Sequence, residues 1–223
     1  MSLRTTLQEK ERIKWMFYKN LYSLIGLERL PIIKVNGKEI IMIHINKTAG
    51  TSINVALGFK TKTHLTSRQL ILKLGKERFE EAFTFSFVRN PWDRVISQHK
   101  YELKAVSSRE SFKATNFQDW LIKFYKNRKP EYFSNIKPVM FYTQSDWLKN
   151  FDNSIDLNFI GKFENIESDF KKLCDMLGVK RKLPHLNKSK RDENSYRKYY
   201  NTETKDIVTR FFEEDIENFQ YEF

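Results

Sequence analysis

Residues 40–52 of the chain read IIMIHINKTAGTS, and this stretch decides the fold. Its first part, Ile40–Ile45, is apolar except for His44 and shows no alternation of apolar and polar positions. A run without alternation predicts a strand buried on both faces, as in a parallel sheet covered by helices. A lysine, a glycine and three hydroxyl side chains follow at 46–52, where a helix is predicted to begin. A strand, a polar loop and the start of a helix in succession form an arrangement that binds phosphate.

The rest of the chain repeats this alternation of strands and helices. Asn36-Gly37 predicts a hairpin turn that joins Ile32–Val35 to the buried strand. Two more strands are predicted at Phe83–Val88 and Leu157–Ile160. Helices are predicted at 5–25, 51–57, 66–75, 91–103, 117–125, 164–177, 195–200 and 203–213. This order predicts an α/β fold of three layers, in which a central, mostly parallel sheet is flanked by helices.

Length and composition indicate one domain over residues 1–223, with an N-terminal helix in 1–30 and an α/β core over 31–223. The net charge of +12 attracts anions such as nucleic acid, membrane surfaces or phosphate-bearing small molecules. Cys174 is the single cysteine, which suits a reducing compartment. The sequence has neither an apolar run near the roughly 20 residues that span a bilayer nor an apolar signal segment. We therefore predict a cytoplasmic protein without an integral membrane segment; the sequence makes no prediction of oligomeric state.

A second candidate binding segment follows the strand at Phe83–Val88. Ligands of parallel α/β sheets bind beyond the carboxyl ends of the strands, so the segment after Val88 lies at the same edge as 46–52. Arg89 leaves this strand, where its guanidinium can fork onto a phosphate. Ser97 is two turns into the following helix and can donate a hydrogen bond. For Arg94 we favour a structural ion pair over anion binding, with Asp93 and the nearby carboxylates as candidate partners.

These two segments together resemble a known family. Residues 44–52 and 89–97 are similar to the two cofactor-binding motifs of the sulfotransferases that use 3′-phosphoadenosine 5′-phosphosulfate (PAPS), and specifically to the carbohydrate sulfotransferase branch, family 2 type. In that family Pro-Lys-Thr-Ala-Gly-Thr-Ser binds the 5′-phosphosulfate, and Arg-Asn-Pro-x-x-Arg-x-x-Ser binds the 3′-phosphate. The resemblance covers roughly 40–223 and continues through 159–165 and 184–189.

The resemblance implies a P-loop-like fold, PAPS as co-substrate, adenosine 3′,5′-bisphosphate as product and no metal. It also implies that the acceptor carries a hydroxyl group and is a carbohydrate. The residues expected to hold PAPS are Lys47, Thr48, Ala49, Gly50, Thr51, Ser52, Arg89, Ser97, Lys188 and Ser189. The chain departs from the motif at Asn46, which stands where the family has proline. Asparagine keeps its N–H and a less restricted φ, so it is expected to soften the loop without removing a ligand group.

Two residues are expected to act in catalysis. Lys47 can neutralise charge on the leaving oxygen, and His64 is the candidate base for the attacking hydroxyl, since histidine titrates near neutrality. His44 and Glu164 are alternative bases. His99 and His185 are weaker candidates.

Two other function classes remain open from the residues alone. A P-loop kinase requires a lysine that follows a glycine, whereas Lys47 precedes Gly50, and a convincing magnesium-binding carboxylate is missing. A nucleic-acid-binding module is suggested by charge and aromatic content, but the basic residues are spread along the chain and match no motif of that class. The sequence therefore favours a partner other than nucleic acid. Acceptor contacts are expected in the variable segments 104–115 and 126–145.

Overall fold

The computed structural model describes residues 30–61, 63–105, 116–128, 138–184 and 195–223. Within these residues one sheet contains four strands in the order β1-β2-β3-β4. Their bounds are β1 Ile32–Val35, β2 Lys38–Ile43, β3 Phe83–Val88 and β4 Phe159–Lys162. β1 is antiparallel to β2, and β2, β3 and β4 are parallel. The prediction of an α/β fold with a mostly parallel sheet is confirmed; the N-terminal helix predicted at 5–25 lies outside the described residues.

Helices and short helical turns connect the strands. The α-helices are α1 Gly50–Leu57, α2 Ser67–Leu74, α3 Lys76–Glu81, α4 Pro91–Ala105, α5 Phe117–Leu121, α6 Gln144–Leu148, α7 Ile166–Leu177, α8 Thr202–Phe211 and α9 Glu213–Phe219. A π-helical turn spans Ile122–Asn127, and 3₁₀ turns span Pro138–Phe141, Phe163–Asn165 and Arg197–Tyr199. None of the helices in the described part of the chain has the length and apolar character needed to cross a membrane.

The start of the sheet follows from the turn predicted at Asn36-Gly37. Asn36 and Gly37 have φ values of 49° and 81°, and Val35 pairs with Lys38 across the turn. Two consecutive positive φ values are what a two-residue hairpin of the predicted type requires. β1 therefore covers one edge of β2 and leaves the other edge of β2 for β3.

The strand register sorts side chains onto two buried faces. Alternate residues of β2 and β3, such as Met42 and Phe85, face α1 and α7 and form the hydrophobic core there. The side chains that α1 and α7 contribute are Ile53, Leu57, Phe170, Leu173, Cys174 and Leu177. On the opposite face, Val88 and Ile160 line a cleft of about 550 Å³ together with Phe219 of α9. Both faces of the central strands are thus covered, as their unbroken apolar sequences predict.

Helix starts match the sequence signals at two places. Thr66 and Gln69 form the predicted capping box of α2. The Oδ1 atom of Asn90 accepts hydrogen bonds from the N–H groups of Trp92 (3.1 Å) and Asp93 (3.2 Å), so Asn90 caps α4. Pro91 is the first residue of that helix, as predicted.

Several elements differ from the prediction. The helix predicted over 195–200 is a 3₁₀ turn at Arg197–Tyr199, the helix predicted over 203–213 ends at Phe211, and α3 and α9 were not predicted. β4 begins at Phe159 rather than at residue 157, and it extends to Lys162. The helix predicted over 164–177 begins at Ile166, because residues 163–165 form a 3₁₀ turn. Residues 163–165 therefore join β4 directly to α7, and they lie beside the segment that follows β3.

Candidate active site

The loop after β2 is a tight turn that leads directly into α1. Lys47 and Ala49 have φ values of 69° and 64°, in the left-handed region. The hydroxyl of Thr48 donates to the carbonyl of Ile45 (2.9 Å), and the carbonyl of Ala49 accepts from the N–H of Ser52 (2.9 Å). These bonds close the turn and bring the positive end of the α1 dipole to the carboxyl edge of the sheet.

The structure explains why position 50 in this loop is a glycine, which the sequence alone did not show. A Cβ atom on Gly50 would lie 2.1 Å from both Cδ2 and Nε2 of His44. The His44 ring is buried, with 5% of the residue exposed, and it packs against the first turn of α1. Gly50 is therefore required by the close approach of His44, independently of any ligand.

His64 lies beside the end of β2 although it follows α1 in the chain. Its Nδ1 atom is 2.9 Å from the carbonyl oxygen of His44, and the two imidazole rings are 4.3 Å apart between centroids. The edge of the Trp147 ring approaches His64, with 6.2 Å between centroids. A carbonyl only accepts, so Nδ1 carries the proton of this bond. In neutral His64 the acceptor nitrogen is then Nε2.

Arg89 connects the two predicted phosphate-binding segments. Its Nη1 donates to the main-chain carbonyl of Lys47 (3.0 Å), which lies in the loop after β2. Its Nε (2.9 Å) and Nη2 (2.5 Å) both donate to Oδ2 of Asp93, and its guanidinium carbon lies 4.0 Å from the centroid of the Phe163 ring. Gln144 holds its main chain, with 2.8 Å bonds to both N–H and C=O. Three groups thus fix the guanidinium, and Gln144 fixes the main chain that carries it.

The predicted pairing of Arg94 with Asp93 is wrong, because Asp93 pairs with Arg89. Arg94 is buried, with 2% exposed, and its Nη1 donates to the carbonyl of Tyr142 (3.0 Å). Its Nε (3.2 Å) and Nη2 (2.7 Å) donate to the main-chain and side-chain oxygens of Asn46. Arg94 has the structural role that the sequence analysis favoured for it, with different partners.

One face of α4 lies against both loops. Asp93, Ser97 and Tyr101 are spaced by four residues, which places them on the same side of the helix. Asp93 contacts Arg89, and the Tyr101 ring centroid is 4.4 Å from Nζ of Lys47. Ser97 therefore projects from α4 between the residues that contact the two cations. Lys188 and Ser189, like His185, lie outside the described residues.

Glu164 holds the segment after β3 in place. Its Oε1 accepts from the N–H of Asn90 (2.7 Å), and its Oε2 accepts from the hydroxyl of Tyr221 (3.1 Å). Both carboxylate oxygens are thus engaged with the protein, which supports a structural role over that of a base. His99 also packs structurally, with ring centroids 5.5 Å from Phe117 and 5.0 Å from Trp120.

Sequence reasoning missed three residues that shape the site. Tyr101 had a usable signal, since it follows Ser97 by four residues on the same helix. Phe163 and Gln144 reach Arg89 from distant parts of the chain; Phe163 lies in the resembling segment 159–165, which assigns it no role, and no sequence pattern marks Gln144. In the described part of the chain no cluster of three His, Cys, Asp or Glu residues is arranged to hold a metal ion.

Comparison with known proteins gives two findings. A family model described as "Sulfotransferase family" matches residues 32–222, which is most of the chain. A protein of Archaeoglobus fulgidus, named only as an uncharacterized protein, is 30% identical over 131 residues. That match covers 56% of this chain and 92% of the archaeal protein. The family match extends over all four strands and both predicted phosphate-binding segments.

Proposed function

The chain belongs to the sulfotransferase family, and from this premise we propose that it transfers a sulfuryl group from PAPS to a hydroxyl of a carbohydrate acceptor. The single observation that carries the proposal is the 3.0 Å bond from Nη1 of Arg89 to the carbonyl of Lys47. It joins the segment that resembles a 5′-phosphosulfate loop to the segment that resembles a 3′-phosphate site. One bisphosphorylated nucleotide can contact both segments only if they lie close together.

The residues present fit such an anion. Lys47 and the amino end of α1 bring positive charge to the edge of the sheet where α/β proteins bind ligands. Arg89 adds a guanidinium whose charge is partly balanced by Asp93. We propose that residues 47–52 hold the 5′-phosphosulfate and that Arg89 and Ser97 hold the 3′-phosphate. The Thr48 hydroxyl already donates to Ile45, so this residue would contribute mainly its main-chain N–H. Lys188 and Ser189 are proposed from the resemblance alone.

PAPS would supply the activated sulfuryl group and a bisphosphate that can leave. The proposed task of Lys47 is to stabilise negative charge that develops on the leaving oxygen, since a positioned cation acts most strongly where charge appears. The proposed task of His64 is to take the proton of the acceptor hydroxyl on Nε2. The bond from Nδ1 to His44 supports this task, because it leaves Nε2 as the basic nitrogen of the neutral ring.

An activity assay tests the proposal directly. The protein is incubated with labelled PAPS and a panel of carbohydrate acceptors, and mass spectrometry detects sulfated products. A thermal-shift screen with adenosine 3′,5′-bisphosphate, 5′-AMP, magnesium-ATP and single-stranded DNA runs beside it. Stabilisation by the bisphosphate alone supports the proposal. Stabilisation only by magnesium-ATP or only by DNA would replace it with a kinase or a nucleic-acid-binding protein.

The first variant for this assay is Lys47→Ala. We expect kcat to fall about 100-fold or more, because the ammonium acts on charge that is largest in the transition state. Calorimetry should show a smaller loss of bisphosphate affinity, about tenfold at most. The matched control is Lys76→Ala, which removes an exposed lysine of α3 that pairs with Glu80. A Lys47→Ala enzyme with raised KM and unchanged kcat would contradict the proposed role.

A further inference from the structure

We infer that Asn46 is a positioning residue, whose buried side-chain amide fixes the loop that carries Lys47 against α4. The catalytic meaning of this inference rests on the proposed function, but its structural content does not. Asn46 is 6% exposed and directly precedes Lys47. It stands where the sequence resemblance has proline, and the expectation drawn from this departure is a softer loop. The contacts of the Asn46 side chain indicate the opposite.

The amide of Asn46 is bonded on both of its ends. Its Nδ2 donates to Oε1 of Gln98 (2.6 Å) and to the main-chain carbonyl of Met140 (3.0 Å). Its Oδ1 accepts from Nη2 of Arg94 (2.7 Å), and its main-chain carbonyl accepts from Nε of the same arginine (3.2 Å). The two N–H bonds of the amide and its oxygen all have partners, so the orientation of the amide is determined.

These partners belong to a buried polar network that runs along α4. Gln98 is 3% exposed, and its Nε2 donates to Oε1 of Glu102 (2.5 Å), one helical turn further on. Arg94 lies one turn before Gln98 and also bonds the carbonyl of Tyr142. Low surrounding dielectric strengthens such bonds and makes the loss of one partner costly. Asn46 connects this network to the loop after β2.

This attachment matters because Lys47 adopts a strained conformation. A non-glycine residue at φ 69° persists only where its surroundings hold it. Asn46 fixes the main chain on the amino side of Lys47, and the Thr48 hydroxyl closes the turn on its carboxyl side. Removing the Asn46 amide leaves only the main-chain carbonyl of residue 46 bonded to Arg94. The main chain on the amino side of Lys47 would then be held less firmly, although Arg89 would still bond the Lys47 carbonyl and Tyr101 would still contact its Nζ.

The network also reaches the base of both segments predicted to contact the acceptor. Gln98 and Glu102 lie in the last turns of α4, which leads toward 104–115. Met140 and Tyr142 lie at the end of 126–145. Asn46 therefore links the loop that carries Lys47 to the residues that adjoin 104–115 and to the end of 126–145.

The inference is tested by amide hydrogen exchange in Asn46→Ala and Gln98→Leu. We expect exchange in residues 46–49 to be at least about tenfold faster in Asn46→Ala, because three side-chain hydrogen bonds that hold the start of the loop are lost. Gln98→Leu keeps the volume and the contact of Arg94 with Asn46, so a smaller increase is expected at the same residues. The matched control is Asn54→Ala, a buried asparagine of α1 whose Nδ2 donates to Thr61 (2.9 Å).

The outcomes separate positioning from general stability. If both variants melt at lower temperature but exchange in 46–49 no faster than Asn54→Ala, the inference is overturned. In turnover with PAPS, Asn46→Ala should lower kcat about tenfold with less than threefold change in KM, because Lys47 is misdirected rather than lost. An unchanged kcat with a raised KM would also overturn it. If wild type does not use PAPS, the proposed function fails, while the exchange result still decides the role of Asn46.

Discussion

At the scale of single residues, one hydrogen bond selects the chemistry open to His64. The carbonyl of His44 accepts from Nδ1 at 2.9 Å, so the proton of neutral His64 is on Nδ1 and the lone pair is on Nε2. The His44 ring stacks beside it and depends on Gly50 for its space. His44 itself is buried, which makes it a support for His64 rather than a group that meets an acceptor.

His64→Ala should therefore lose activity without losing cofactor affinity. General-base catalysis contributes about 10²–10⁴-fold, so we expect kcat to fall at least about 100-fold. Calorimetric affinity for adenosine 3′,5′-bisphosphate should stay within about twofold of wild type, since the proposed nucleotide contacts come from other residues. The matched control is His99→Ala, which removes a histidine packed on Phe117 and Trp120.

Melting temperature is measured beside the rate, because His64 also contacts the main chain of residue 44. The control should lose stability and keep most of its kcat. A fully active His64→Ala enzyme would rule out this base.

The residue types at the site could be predicted from the sequence, whereas their partners could not. Lys47, Arg89 and His64 stand out by type and by position after a strand or helix. Asp93 was assigned to its neighbour Arg94, but adjacent residues of a helix point in different directions. Arg89 precedes α4, and the turn through Asn90 and Pro91 brings it onto Asp93, four residues later. Spacing by four residues is thus the better guide to ion pairs at the start of α4.

At the scale of elements, contacts through two short helices, α9 and α6, hold the segment that follows β3. Asp215 of α9 accepts from the N–H groups of Gln144 and Ser145 (2.7 Å each), the first residues of α6. Gln144 in turn bonds the N–H and C=O of Arg89. Burial raises the pKa of Asp215, and the hydrogen bonds from Ser145 and Gln144 oppose this rise. The start of α6 thereby sets the main-chain position of Arg89.

Asp215→Ala should weaken the fold and, through it, the nucleotide site. It leaves two buried N–H groups of α6 without their acceptor, which costs about 3 kcal/mol of unfolding free energy. Denaturant unfolding should show this loss, and calorimetry should show a loss of bisphosphate affinity of about threefold through the displaced Gln144.

Glu213→Ala, at the first position of the same helix, is the control and should change both quantities little. Equal midpoints for the two variants would show that the α9–α6 contact does not stabilise the protein.

The elements that the sequence predicts well are those with a clear period. The unbroken apolar run of β2 and the capping box of α2 are visible in the sequence alone. α6 was not predicted, because its five residues are too few to show a helical period and all of them are buried. Asp215, which lies 71 residues from Gln144, accepts hydrogen bonds from the first two N–H groups of α6. Such contacts from distant positions also explain why Gln144 was missed as a site residue.

At the scale of the whole molecule, two buried tyrosines, Tyr125 and Tyr221, and one half-buried tyrosine, Tyr200, report on the integrity of the described fold. Burial raises the pKa of Tyr125 to about 12, and Tyr125 packs on the rings of Phe141 and Phe212. Burial also raises the pKa of Tyr200, whose hydroxyl donates to the carbonyl of Trp92 (2.8 Å). The pKa of Tyr221 is raised by burial and by the charge of Glu164, which accepts from its hydroxyl. These residues come from three distant parts of the chain, so their ionisation opposes the packing of the molecule as a whole.

The protein should therefore lose stability steeply in alkaline solution. A phenol whose pKa is higher in the folded than in the unfolded chain keeps its proton better when folded, so its contribution to stability is complete below the unfolded value of 10.0. That contribution is lost as pH rises from there through the folded value of about 12. Each such phenol lowers the unfolding free energy by about 1.4 kcal/mol per pH unit in this window.

Denaturant unfolding between about pH 9 and 12 measures the slope, and ultraviolet absorbance follows phenolate formation. Tyr125→Phe should make the slope shallower by one phenol, because phenylalanine has no proton to lose, whereas Tyr101→Phe should not, since Tyr101 is 52% exposed. Lysines lose charge in the same range, but they do so in all three proteins, so the difference between the variants isolates Tyr125. Equal slopes for the two variants would mean that Tyr125 ionises without opposing the fold, and that water reaches its hydroxyl in the native state.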